Sequence, residues 1–246
     1  MVNAVFEKWA TGFSGCDGGD IGSSKSPSIW FCGIEWGGGY PADEQKLHNI
    51  FLGDVSAPAE GYTNVEGKPE WKENLAYRFN WQAMKLLTTI NGGSFSDYKL
   101  FAENVRPFVK GERGYYKINL YPLAFRNTNH QLWQNAFAEA TNFENKQEYI
   151  NWINSRRFPL MKSWVQAYTP KLIVCTGITY ASDFRLAFVD DGLEFNTETI
   201  DDRELHWVVN KNGTIVVVIP FMLNRNGLTR NVSIQKFGEK IRALLL

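Results

Sequence analysis

Glu35 and Asn119 are the residues whose surroundings first suggest chemistry. Glu35 follows Gly33 and Ile34 at the end of an apolar run that begins near Ser28, and Gly37, Gly38 and Gly39 come two residues later. A carboxylate in such a place can stabilise developing positive charge and can orient or deprotonate water. The glycines let backbone come close to a ligand. Asn119 interrupts an apolar and aromatic stretch, and its amide both donates and accepts, as the edge of a nucleobase requires. A third stretch, residues 220–229, holds Met222, Leu223, Asn224 and Arg225. Apolar side chains there could wedge between base steps while the cation holds a phosphate. Each group also has a plainer reading. Glu35 would be a solvated loop acid, Asn119 a buried amide capping backbone groups, and residues 222–225 a polar turn before the last helix.

A flat ligand at this place would need an aromatic face, and Trp36, Tyr40 and Phe51 are the candidates. With 9 Trp, 10 Tyr and 17 Phe in the chain, most rings must belong to the core. Lys25, Arg126, Arg230 and Lys236 could touch phosphates, with a solvated surface as the default. His48, His130 and His206 have no metal spacing, and His206 reads as structural. Cys16, Cys32 and Cys175 form no Cys-x-x-Cys pattern and suit a reducing cytoplasm; Cys32 and Cys175 read as inert core thiols. No metal and no cofactor is expected.

The elements that must position these residues read as α/β. Residues 28–33 look like a buried parallel strand, and ligands in open α/β sheets bind beyond the carboxyl ends of such strands. Further strands are expected within 115–125, ended by Pro122, and at 171–177, closed by Gly177. Residues 205–209 and 214–219 flank Asn210 to Gly213 as a hairpin. Helical spacing covers 71–90, then about 145–168 with a break or kink near Pro159, a stretch from about 179, and 232–246. Residues 10–27 and 53–70 read as loops. Strands alternating with helices predict a three-layer α/β/α sandwich with a mostly parallel central sheet and one antiparallel edge. No linker divides the chain, so one domain over 1–246 is expected.

Lys+Arg and Asp+Glu both number 26, which removes the strong basic excess of many nucleic-acid binders but leaves room for a local basic face. The first residues lack the charged and apolar regions of a signal peptide, and no run reaches the roughly 18 apolar residues of a membrane span. A cytoplasmic monomer away from membranes is the expectation.

In order and content these segments resemble the uracil-DNA glycosylase superfamily, over roughly residues 28–246. There a first strand ends in Gly-x-Asp or Gly-x-Asn, where this chain has Gly33-Ile34-Glu35. A second strand supplies a base-pairing Asn in a setting like that of Asn119 between Ile118 and Leu120. A third strand ends in Gly, like Gly177. The last runs into a His-Pro-Ser loop, and the comparable stretch here is Ile219-Pro220-Phe221. The resemblance implies the same fold and a DNA glycosylase acting on duplex or single-stranded DNA. It assigns Glu35 and Asn119 to catalysis, Trp36, Gly37, Tyr40 and Phe51 to the base, and Met222, Leu223, Asn224 and Arg225 to DNA. Two departures stand out. The His is absent, with Ile219 nearest its place, which puts ordinary uracil activity in doubt. Gly37 stands where the uracil enzymes with Gly-x-Asp carry a Tyr against pyrimidine C5, so a C5-modified base is the expected substrate. Two other readings are a catalytically silent nucleic-acid-binding protein of this fold and a nucleoside deoxyribosyltransferase-like enzyme, which would form a covalent intermediate through its Glu. A fourth is an unrelated small-molecule-binding α/β domain.

Overall fold

A computed structural model describes residues 1–37, 39–40, 43–53, 70–109, 111–125 and 133–246. The elements in chain order are α1 (Ala4–Thr11), β1 (Cys16–Gly19), β2 (Gly22–Ser23), β3 (Ser26–Pro27), β4 (Ile29–Gly33), α2 (Glu44–Phe51), α3 (Glu70–Asn74), α4 (Arg78–Ile90), α5 (Tyr98–Val105) and β5 (Tyr115–Asn119). They continue with α6 (Asn135–Thr141), α7 (Lys146–Tyr168), β6 (Leu172–Thr176), α8 (Ala181–Phe188), β7 (Asn196–Ile200), β8 (Arg203–Val209), β9 (Ile215–Ile219) and α9 (Asn231–Leu244). Among the described residues no helix is long and apolar enough to cross a membrane.

Seven strands form one sheet in the order β1-β5-β4-β6-β9-β8-β7. The inner four are parallel, and β1, β8 and β7 run antiparallel to their neighbours. β4, β5, β6 and β9 are buried along their whole length, as parallel strands covered on both faces must be. Alternation then sorts their side chains. Trp30 and Cys32 face a core built with α1, α2, α6, α7 and α8, while Ile29 and Phe31 face a second core built with α4, α5 and α9. The result is an α/β sandwich of three layers. The chain leaves β4 toward β5 on one side and later returns to place β6 on the other, so the carboxyl end of β4 is the switch point of the sheet, the place where ligands bind in open α/β sheets.

The expected strands and the final helix are present, with differences that have physical causes. The helix expected over 71–90 is two helices. Asn80 Nδ2 donates to Asn74 O and Trp81 Nε1 to Leu75 O, so side chains satisfy carbonyls released at the break. α7 is one helix that runs through Pro159. The segment 10–27, expected to be loop, contains the two-residue strands β2 and β3 and, in the main sheet, β1. Its glycines hid it, yet they are required: Gly19 has φ +95°, and a Cβ there would lie 2.1 Å from Tyr115 O. β7 was also unforeseen. It is a polar, largely exposed edge strand without the apolar alternation that marks a half-buried one.

Candidate active site

β4 ends at Gly33, which sits in register with Asn119 at the end of β5. A side chain at 33 would have to displace the Asn119 amide, because a Cβ would lie 2.4 Å from Asn119 Oδ1. The chain then continues through Ile34, whose carbonyl accepts from Tyr121 N–H at 2.9 Å. These bonds hold the turn carrying Glu35 against the end of β5.

Glu35 is not a solvated loop acid. Its side chain is only 6% exposed, and its Oε2 pairs with Lys146 Nζ at 3.2 Å. Oε1 is buried without a hydrogen-bond partner among the described residues. Burial pushes the carboxyl up to about 7, against the opposing pull of the Lys146 ammonium. Lys146 is itself buried in the first turn of α7, behind its N-cap Asn145, and its ammonium lies 3.7 Å from the ring centroid of Phe125. A cation in a first helical turn is opposed by the helix dipole, so the Glu35 carboxylate compensates for an unfavourable placement. Burial lowers the Lys146 pKa while Glu35 raises it.

Asn119 is buried, and its Nδ2 donates to Gly15 O at 3.3 Å. Trp36 Nε1 donates to the same oxygen, also at 3.3 Å. One backbone carbonyl therefore ties the residue after Glu35 to the end of β5. Tyr40 lies beside Trp36, ring centroids 6.5 Å apart, and its N–H donates to Ala124 O. Burial, with Asp17 adding to it, raises the Tyr40 phenol to about 12. A Cβ at Gly37 would meet nothing within 4 Å. Gly38 lies outside the described residues, and Gly39 has φ +75°.

Two expected site residues belong elsewhere. Phe51 is 3% exposed and packs on Phe6 and Trp9, at 5.2 and 4.8 Å, so it has no face for a base. Met222 is fully buried in the α4–α9 core and cannot insert into a duplex. The rest of its loop projects outward: Leu223 is half-buried, and Asn224 and Arg225 are exposed. Gly227 N–H donates to Asn224 O, and Leu228 N–H to Phe221 O, closing the turn beneath them.

Other basic residues are less free. Arg230 and Lys236 both pair with Asp201, and Lys25 is exposed at the tip of the β2–β3 hairpin. His206 bonds Thr197 Oγ1 at 2.8 Å and stacks on Phe195, a structural placement. His48 lies in α2, and Arg126 and His130 lie outside the described residues. Cys32 and Cys175 are buried, and burial raises both thiols.

Compared with known proteins, the chain matches no protein-family model and no curated sequence.

Sequence reasoning missed Lys146 and the pair Lys117–Asp17. Lys117 lies on the α4 face of β5, donates to Asn80 Oδ1 at 3.0 Å and sits 5.5 Å from the Phe79 ring centroid. A lysine inside an apolar strand and a lysine in a first helical turn were the signals. Each requires an acid close in space.

Proposed function

We propose that this protein is a DNA glycosylase, a divergent member of the uracil-DNA glycosylase-like superfamily, that hydrolyses the N-glycosidic bond of a flipped, C5-modified pyrimidine. The observation carrying this reading is the buried Glu35 carboxylate, with one oxygen unpartnered among the described residues, at the carboxyl end of a parallel strand. In the reaction the bond between the anomeric carbon and the base nitrogen breaks, and its electron pair leaves with the base. The sugar becomes oxocarbenium-like, and a water oxygen bonds to the same carbon. Glu35 opposes the sugar's charge and accepts the water's proton. Lys146 helps keep Glu35 ionised near neutral pH despite its burial. Asn119 has one amide hydrogen engaged by Gly15 and offers the other to the base edge. Trp36 and Tyr40 supply the aromatic wall, and the open space at Gly37 admits a C5 substituent. Leu223, Asn224 and Arg225 meet the DNA. Three widely spaced cysteines, an odd number, suit the cytoplasm, and the activity fits DNA repair or defence against phage DNA.

A second reading, a silent nucleic-acid-binding protein, draws on Ile219. It is fully buried at the place where the resemblance puts a base-stabilising His.

Incubation with duplex and single-stranded DNA containing uracil or C5-enlarged pyrimidines, scored for abasic sites, decides between them. Glu35→Gln should retain DNA binding and lose roughly 100-fold or more of the excision rate. Binding by the wild type with no excision of any base would favour the silent reading.

A further inference from the structure

The outer surface of α4 carries large aromatic side chains that the core does not use. Tyr77, at the N-cap, is 60% exposed, and Trp81, one turn on, is 38% exposed. Both belong to the same helical face. Trp81 is fixed from behind, since its Nε1 donates to Leu75 O at 3.2 Å. Cations interleave with the rings. The Lys85 ammonium lies 5.7 Å from the Trp81 ring centroid and 5.5 Å from that of Tyr98. Arg78 is exposed, and its guanidinium has no carboxylate partner among the described residues. Burial lowers the Lys85 pKa, and the Arg78 charge adds to that lowering. Arg78 and Lys85 stand three residues before and four after the exposed Trp81 ring, and Lys85 is steadied by a 2.9 Å bond to Asn231 Oδ1; cations flanking an exposed ring match a polyanion with flat faces, and Glu70 and Glu73 lie on the preceding helix.

The opposite, inward side of the same helix holds the loop at residues 221–229. Phe79, in the same turn of α4, stacks on Phe221 at 5.9 Å, and Gln82 Nε2 donates to Thr229 O. The loop bearing Leu223 and Arg225 is thus anchored at both ends to α4. We infer that Tyr77, Arg78, Trp81 and Lys85 form a track for single-stranded DNA leading away from that loop, with Tyr77 and Trp81 stacking on unpaired bases and the cations meeting phosphates. An indole face takes up bases only where they are not already stacked in a duplex, so the occupant is an unpaired strand. The inference extends the proposed DNA-glycosylase reading, but its test does not depend on catalysis.

The experiment is fluorescence anisotropy with a labelled single-stranded oligonucleotide and its matched duplex, across a salt series, with excision measured in parallel. The Tyr77→Ala/Trp81→Ala double variant should bind the single strand about 10-fold more weakly or worse, with the duplex affected less. Trp81→Phe should restore most of the binding, which separates stacking from misfolding. Arg78→Gln should flatten the slope of log affinity against log salt by about 0.7 for one phosphate contact. Single-strand affinity unchanged in the double variant, or equal losses on duplex and single strand, would overturn the track. So would a wild-type protein that binds no single strand. Excision failing while these binding differences persist would count against the glycosylase reading alone.

Discussion

Lys146 and Arg157 are both buried cations on α7, about three turns apart and therefore on one face. Arg157 spreads its charge over neutral oxygens: it donates to the carbonyls of Leu120, Ala10, Gly12 and Ser14 and to Ser14 Oγ. Among the described residues Lys146 faces a single titratable partner, Glu35, whose second oxygen has no donor there. A buried charge shared among backbone carbonyls locks chain segments together, since every group is satisfied at once. A buried charge opposed by one acid leaves a pair whose protonation responds to pH and to whatever enters the site. The first arrangement fixes the scaffold. The second can change its protonation state.

Removing Arg157 gives the sharpest test of that contrast. Arg157→Met should cost about 3 kcal/mol or more of stability, read from urea unfolding, because it strands several buried carbonyls. A loss near zero would mean that water or relaxation replaces the guanidinium and would dissolve the distinction.

Gly37→Tyr touches neither cation. It should lower excision of C5-enlarged pyrimidines by about 100-fold with little change in melting temperature, since a Cβ there meets open space. Equal turnover of large and small bases by the variant would remove Gly37 from substrate selection.

At Lys146 the expected effect appears in a pH profile. Glu35 must be ionised to support the sugar cation, so the acid limb of kcat/KM should lie near 7. Lys146→Met removes the charge that holds this pKa down and should move the limb upward by about one unit or more. An unmoved limb would detach Lys146 from the chemistry. Stability carries the same signature with a definite sign. Glu35 has a folded pKa raised above its ordinary value of 4.5, so its favourable contribution is full below about 4.5 and is lost as pH rises through about 7. Glu35→Gln should therefore gain stability relative to wild type at pH 8 compared with pH 4.

Arg225→Ala is the mildest change. It should weaken duplex binding a few-fold and reduce the salt slope by about 0.9, as for one phosphate contact. An identical slope would place Arg225 off the DNA.

The strand ends were readable because a parallel strand covered on both faces is a continuous apolar run, and a lone polar residue at its end is conspicuous. That is why Glu35 and Asn119 were legible. Lys146 was not, since only the tertiary return of α7 brings it to Glu35. Phe51 and Met222 were misassigned for a related reason. Near a motif, an apolar side chain looks the same whether it faces a ligand or the core, and only the placement of α2 and α4 separates the two. β1 and β7 escaped because one is half glycine and the other polar, so neither showed the alternation that reveals a strand.

Those two inconspicuous strands are also the edges of the sheet. β1 carries a register irregularity between Cys16 and Gly18, and its glycines adopt positive φ, which twists the edge out of line. β7 presents Asn, Thr and Glu side chains, with Glu198 paired to Lys240 of α9. A chain with a formal net charge of zero has no overall repulsion to hold copies apart in a crowded solution. Protection against sheet-to-sheet aggregation must then be local, and the bulged edge and the polar edge supply it where an unguarded strand would recruit another molecule.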